Sequence, residues 1–540
     1  MKRNILKGAF WVLLSISTVS CSEFLDINPH DSISDAAVWE NMDLAEAFLN
    51  NCYTYVEGEN ENGVPFCSYT DELFHRTGYA TEVYTLGNVS RDNYNVGFSE
   101  ARGNTWNFYY SGIKKVNQLL ENIDKVPAVS DSEETRKAEI IGQAYFLRAF
   151  FYHQLYSLYG RIPLVDHTFD IDSDWVETRA DMDDVADFIV KDCESAIEKL
   201  PLKYESSDDF GRATRGAAMA VKARTLLYKA SPLFGEPSTE KWQEAAKASK
   251  DIIDLGVYSL PTVSSSEEYA ALFYNTQNPE IIFEKLYNNK GTYGSALHYL
   301  FQSPNGPYNG YNGWGVWLPT YDIVNAFQNE DGSKYTVKGL ASYNISLPSV
   351  DPETNQIIYK DATIEATEIK PWEGREMRFY ANILYDGAMW GYGDDNHAIA
   401  IYEPGEEGVL PGEQSPSYTD GEYWNATQTG YYMRKFLDPT YDQYSETIMD
   451  TTPWIFFRLA EFYLNYAECQ IELGNKDEAL KYINYIRNRA LLPDAFGTDI
   501  RAEYEYERMI ELMFEGQRFF DLRRWKKMET IYSQENWPTG

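Results

Sequence analysis

The chain has 540 residues, 44% of them apolar, which is ample for one large core or several. Its 47 basic and 83 acidic side chains give a formal charge of −36, a field that repels phosphate backbones and anionic lipid surfaces and argues against nucleic-acid binding. Aromatic residues reach 15%, with 43 Tyr and 13 Trp, at a mean hydropathy of only −0.48; rings on a polar background suit sugars, a ring face covering the C–H face of a pyranose while a hydroxyl bonds its edge.

The first residues predict a secretory signal over 1–20. Lys2, Arg3 and Lys7 are the basic start, Gly8 to Ile16 a short apolar run, and Thr18-Val19-Ser20 a small-residue approach to Cys21. That run is too short to span a bilayer, and no later stretch holds about 18 uninterrupted apolar residues. A cysteine directly after small residues resembles a bacterial lipobox, so Cys21 is the expected lipidation site, and its acyl chains would hold the body on a membrane. Cys52 and Cys67 could pair in an oxidising compartment or stay free; Cys193 and Cys469 fall within helical patterns and read as buried thiols. With no CxxC pair, a structural zinc site is not expected.

After a tether through Pro29, the spacing predicts a helix from about Asp35 carrying Ala36, Trp39, Leu44, Ala47 and Phe48. A Gly-, Asn- and Tyr-rich stretch from Asn51 to Arg102 reads as a long loop. Trp106, Tyr109, Ile113, Val116, Leu119 and Ile123 then recur at three and four, the buried stripe of a helix. A second pair follows: a helix through Ala138, Ala144 and Tyr152 that cannot pass Pro163, and a partner in TRADMDDVADFIVKDCESAIEKLP, with Asp181 or Thr178 able to cap its start. A third pair spans RATRGAAMAVKARTLLYKASPLF and TEKWQEAAKASKDIIDLG.

The middle, 264–444, changes texture: Gly, Asn, Pro and aromatic residues alternate without helical period, predicting loops, strands at Glu280–Lys285 and Arg378–Tyr385, and one helix at TYDIVNAF. From Trp454 to Pro493 the chain reads as a helical hairpin, Tyr463, Tyr466, Ala467 and Gln470 on one arm, Ala479, Leu480, Ile483 and Ile486 on the other, with Gly474-Asn475 as the positive-φ stop. It is similar to one tetratricopeptide unit of about 34 residues, which needs neighbours to bury its face. The predicted organisation is a signal (1–20), an N-terminal helical part (21–263), a loop-rich ligand-binding region (264–444) and C-terminal helices (445–540), with about four helical pairs making a mostly α scaffold.

Arg508, Glu511, Glu515, Arg518, Asp521 and Arg524 stand at i, i+3 or i+4 on the terminal helix. That spacing gives solvated or inter-helix ion pairs of about 0.2–0.5 kcal/mol each, so these residues read as scaffold and not as an active site. A glycosidase needs two carboxylates about 5–9.5 Å apart, one kept protonated; among 83 acidic residues chance pairs decide nothing, and no GxSxG, HExxH or phosphate-loop pattern stands in a suitable context. No catalytic residue, metal or cofactor is expected, and the acidic run at Gly391–Asp395 reads as an ordinary turn, since it lacks the spaced ligands of a calcium loop.

Several stretches carry a family resemblance: CSEFLDINP, WNFYYSGIKKVNQLLENI, AYFLRAFFYHQLYSLYGRIPLV, WLPTYDIVNAFQNEDGSKY, and the pair RLAEFYLNYAECQIELGNKDEAL and ERMIELMFEGQRFFDLRRW. In order, they resemble the SusD/RagB family of outer-membrane nutrient-binding lipoproteins of the Bacteroidetes. The resemblance implies four tetratricopeptide units with a loop-rich glycan-binding region, a surface-exposed, lipid-anchored place at the outer membrane, and as partner a SusC-like TonB-dependent transporter over which the lipoprotein acts as a lid.

The expected function is capture of an oligosaccharide by stacking, without cleavage. Trp314 and Trp317 are the first candidates, because they sit among glycines before PTYDIVNAF; Tyr293, Trp390 and Tyr392 follow, then Asp71, Tyr84 and Asn88 in the early loop. A surface glycan hydrolase, or a tetratricopeptide scaffold for peptides, are the alternatives.

Overall fold

The computed structural model describes residues 38–58, 65–75, 105–170, 176–276, 278–288, 315–336, 343–350, 357–364, 371–390, 397–399, 429–440, 450–495 and 498–531, with 172 and 427. Fourteen α-helices fall among them. Helix α1 is Met42–Cys52, α2 Thr105–Asn122, α3 Asp131–Tyr159, α4 Met182–Lys199, α5 Arg215–Ala230, α6 Thr239–Ile253 and α7 Ser266–Ala271. After these come α8 Tyr321–Ala326, α9 Met377–Asn382, α10 Leu459–Glu472, α11 Lys476–Arg489, α12 Ile500–Glu511, α13 Gln517–Arg524 and α14 Met528–Ile531.

Local chemistry sets most of the boundaries. Ser130, Thr214, Ser238 and Ser265 each accept a backbone N–H three residues on, and at α3 Glu133 returns the bond to the Val129 N–H at 2.7 Å. Asn41 does the same for α1, which starts at Met42; the expected start near Asp35 lies outside the described residues. Asp181 stands at the N-cap of α4, but its carboxylate pairs with Arg161 at 2.5 Å instead of bonding the helix. Gly160 and Gly474 end α3 and α10 at positive φ, where a side chain would be strained.

The helices pack as successive neighbours, α2 on α3, then α3 on α4, α4 on α5 and α5 on α6. Helix α6 then packs on α10, and α10 on α11 and α12, so the two parts of the scaffold join across the intervening 200 residues of chain. The α2 stripe is buried as its spacing requires, Tyr109, Ile113, Val116, Leu119 and Ile123 all at 2% exposure or less.

Ten strands, all in two-stranded antiparallel pairs, complete the described residues. In chain order they are β1 Leu73–His75, β2 Ile281–Lys285, β3 Trp317–Pro319, β4 Tyr343–Val350, β5 Ile357–Ile364, β6 Ile383–Leu384, β7 Met389–Trp390, β8 His397–Ala398, β9 Tyr432–Met433 and β10 Trp454–Arg458. The pairs are β1 with β3, β2 with β10, β4 with β5, β6 with β9 and β7 with β8. The expected strand at Glu280–Lys285 is β2.

Three local expectations are corrected. Arg378–Tyr385 is mostly helix α9, because Arg378 is drawn inward to Glu376 and Glu507 and only Ile383 and Leu384 extend. Trp454–Arg458 is not the start of a helix but β10, held by pairing with β2. The terminal helix is two, α12 and α13, broken where Phe514 and Gly516 take positive φ. Of the two readings left open for Cys52 and Cys67, the structure has the second: both are buried and no disulfide joins them.

The middle region also has a core of its own. Leu318, Ile323, Phe327, Phe379, Ile383, Trp390, Tyr432, Phe436 and Trp454 cluster with Ile510, Met513 and Phe514 from the end of α12, so the irregular chain is packed onto the C-terminal helices.

Candidate functional site

Strand β1 pairs with β3 in the register Leu73↔Pro319, Phe74↔Leu318 and His75↔Trp317. In an antiparallel pair the end of one strand faces the start of the other. The chain that leaves after His75 and the chain that arrives before Trp317 therefore meet at one edge. In sequence, Tyr84 and Asn88 follow His75, and Tyr293 and Trp314 precede Trp317.

The opposite edge is clamped. The Thr320 N–H donates to the Glu72 carbonyl at 3.0 Å, its hydroxyl donates to the Asp71 carbonyl, and its oxygen caps α8 by accepting from the Ile323 N–H at 3.2 Å. Asp71 accepts from Arg518 Nε at 2.9 Å and Nη2 at 2.7 Å, a bidentate pair that ties β1 to α13. Glu72 Oε1 accepts the Phe514 N–H at 3.2 Å. Burial, reinforced by the Asp71 charge, pushes the Glu72 carboxyl well above the usual carboxylate range. Asp71 is thus held by a structural partner.

Among the sequence candidates, Trp317 is fully buried in the core of the middle region and Trp390 is 3% exposed, paired in β7 opposite His397. A ring in that position has no free face for a sugar, and the glycines beside Trp317 do not lift it clear of the core. The large apolar area of tryptophan makes burial the better outcome wherever a strand can place it. Trp314, Tyr293, Tyr392, Tyr84, Asn88 and Cys21 lie outside the described residues.

Behind the platform lies an ionic network, which sequence spacing read as solvated or inter-helix ion pairs. Arg458 donates through Nη1 to Glu280 at 2.9 Å and Glu511 at 2.7 Å, and through Nε and Nη2 to Glu515 at 2.7 and 2.6 Å. Arg489 reaches Glu280 at 2.5 Å and also Glu511, and Tyr269 donates to Glu511 at 2.9 Å. Arg378 binds Glu376 and Glu507, and Arg524 spans Glu468 at 2.5 Å and Asp521 at 2.9 Å. Glu511 and Arg524 are both 0% exposed, so these are buried pairs and not solvated ones.

Burial pushes the Glu511 carboxyl up, but the guanidiniums of Arg489, Arg458 and Arg378 outweigh it and hold the group well below the ordinary value of 4.5. Arg524 and Arg501 do the same for Glu468 against its burial. Such carboxylates stay ionised and serve as ion-pair partners, not as proton donors to a substrate.

A pH dependence follows. A carboxyl with a depressed folded value contributes stability that is complete above 4.5 and is lost as pH falls through the folded value. Glu72 and Glu507 are shifted upward by burial, so their contribution is complete below 4.5 and does not oppose that loss. Urea midpoints should rise as pH falls from about 8 to 5, where Glu72, Glu284 and Glu507 hold protons in the folded chain that the unfolded chain has lost, and fall steeply toward about pH 3. A midpoint unchanged at the acid end would show that the network does not carry this stability.

Comparison with known proteins gives a consistent result. The model described as the SusD family matches residues 279–538, and the model described as starch-binding associating with outer membrane matches residues 23–227. SusD-like protein P38 of Formosa agariphila is 23% identical over 98% of this chain and 92% of its own length. The crystal structure of a SusD-like protein from Bacteroides fragilis superposes with a TM-score of 0.73 at 27% identity, covering 92% of this chain and 89% of that one. A SusD-like carbohydrate binding protein from the same species gives 0.69 at 23% identity, over 92% and 88%.

Proposed function

The chain belongs to the SusD/RagB family, and from that premise we propose that it captures oligosaccharides at the cell surface and passes them to a SusC-like TonB-dependent transporter in the outer membrane. One family model carries starch binding and outer-membrane association in its description, which supports both the ligand class and the compartment. A lipid on Cys21 would tether the acidic body there.

The observation that carries the reading is the β1–β3 pairing, which brings the end of β1 and the start of β3 to one edge of a clamped base; in sequence, Tyr84 and Asn88 follow that end, and Tyr293 and Trp314 precede that start. Aromatic rings suit reversible stacking on sugars, with amide and carboxylate side chains bonding the hydroxyls. Release to a transporter needs only that such contacts be weak one by one. No covalent step is part of the proposal, and the protein acts as a binding protein and not as an enzyme.

Calorimetry of the full chain in detergent against plant, host and microbial oligosaccharides, with product analysis afterwards, tests this. One glycan class should bind and be recovered intact. Trp314→Ala should weaken that binding about tenfold, or about 1.4 kcal/mol, without lowering thermal stability. Cleaved product would favour the hydrolase reading, and unchanged affinity would remove Trp314 from the site.

A further inference from the structure

A cavity of about 630 Å³ lies between the chain at 202–214 and strand β2, sharing no residue with the β1–β3 platform. Its size is that of a small-molecule site. Its rim carries Phe210, Leu202 and Val257, which are 55%, 40% and 39% exposed. Large apolar side chains this exposed are few among the described residues, and three of them converge on one opening.

The wall opposite offers a polar group in want of a partner. Glu284 on β2 is 5% exposed, and its Oε2 has no hydrogen-bond partner among the described residues. Burial pushes its carboxyl up to about 8, so at neutral pH it is an uncharged acid with an O–H to donate.

The walls are held in advance. Arg212 bonds Asp209 at 2.7 Å, Glu46 at 2.8 Å and Asn50 at 2.9 Å, which pins the loop to α1. Tyr204 donates to the Ala213 carbonyl at 3.2 Å, and Tyr258 meets the Thr214 hydroxyl at 3.3 Å. Gly211 has a φ of +91°, and a Cβ there would lie 2.7 Å from Leu286, so this turn and its close approach both need glycine. A loop fixed in this way loses little freedom when a ligand enters.

These features select the ligand. Arg212 is already neutralised by Asp209 and Glu46, and the lining's other cation, Lys203, shares it with the carboxylate of Glu205, so the cavity carries no excess of positive charge to select an anion. An acyl chain or an apolar peptide side chain would cover Phe210 but leave Glu284 without a partner. A flat, uncharged polyol does both. We propose that this cavity is a second saccharide site, in which a neutral pyranose lies against Phe210 and one of its hydroxyls bonds the carboxyl of Glu284. The proposal rests on the same ligand class as the capture reading but on different walls.

Saturation-transfer NMR on the full chain in detergent tests it, with the methyl glycosides of glucose, galactose and mannose as probes. Phe210 is at the surface and Glu284→Gln keeps the shape of the side chain, so both variants should retain the wild-type fold, checked by circular dichroism. Transfer to at least one glycoside is expected in the wild type and in Trp314→Ala, with a loss of about tenfold in affinity in Phe210→Ala and Glu284→Gln. Equal signals from wild type and both cavity variants, or no transfer to any of the three probes, would overturn the second site. Loss in Trp314→Ala alone would do the same while leaving the capture reading intact. Loss in the cavity variants alone would support the second site and count against Trp314.

Discussion

Replacing Glu511 by alanine should lower the free energy of unfolding by about 3–5 kcal/mol, the usual cost of removing one partner from a buried charge pair. Glu511 receives bonds from Arg458 on β10, Arg489 on α11 and Tyr269 on α7, with Arg378 on α9 at 3.4 Å. Without the carboxylate, three guanidiniums share the buried space with too little negative charge to balance them. The loss is larger than for any exposed pair, such as Lys247 with Asp251 on α6, where about 0.2–0.5 kcal/mol is at stake. Urea unfolding of the two alanine variants, Glu511→Ala and Asp251→Ala, measures the difference directly. A Glu511 cost below about 1 kcal/mol would mean that the arginines find other partners or water on losing it. The residues that converge on Glu511 come from both the middle region and the C-terminal helices, so the variant should loosen one from the other. Hydrogen exchange in β2 and β10 should then rise ahead of exchange in α3.

Trp317→Ala should cost a comparable amount, about 3–5 kcal/mol, through the cavity left by a fully buried ring. Leu318, Val324 and Phe379 are themselves fully buried in the same core, and a rigid strand and helix cannot collapse onto so large a void. Any glycan binding lost in this variant would be lost with the β1–β3 pairing that holds both candidate segments. Thermal unfolding separates the cases: Trp317→Ala should shift the midpoint markedly, whereas Trp314→Ala should leave it in place and change affinity. A Trp317→Ala protein as stable as the wild type would show that the ring is not part of the core.

The same contrast runs through the rest of the chain. The α2 stripe and the α10–α11 hairpin were legible because helical periodicity is local, and every residue needed to see it lies within a few turns. The family resemblance was legible for the same reason, as runs of adjacent residues. The platform was not, because Asp71 and Arg518 are 447 residues apart, and nothing near either predicts the other. The cavity beside Glu284 was missed too; β2 was expected, but which of its side chains would be buried without a partner depends on what packs over it.

The sequence by itself determined the mostly helical class, the strongly acidic charge and membership of the SusD/RagB family. Only the tertiary structure decided that the charges of α12 and α13 are inside and that Trp317 and Trp390 are core. It alone, too, brought the end of β1 and the start of β3 to one edge. Periodicity tells which face of an element is apolar, but burial of a charge or a ring depends on partners supplied from distant parts of the chain, and those are set only when the elements pack.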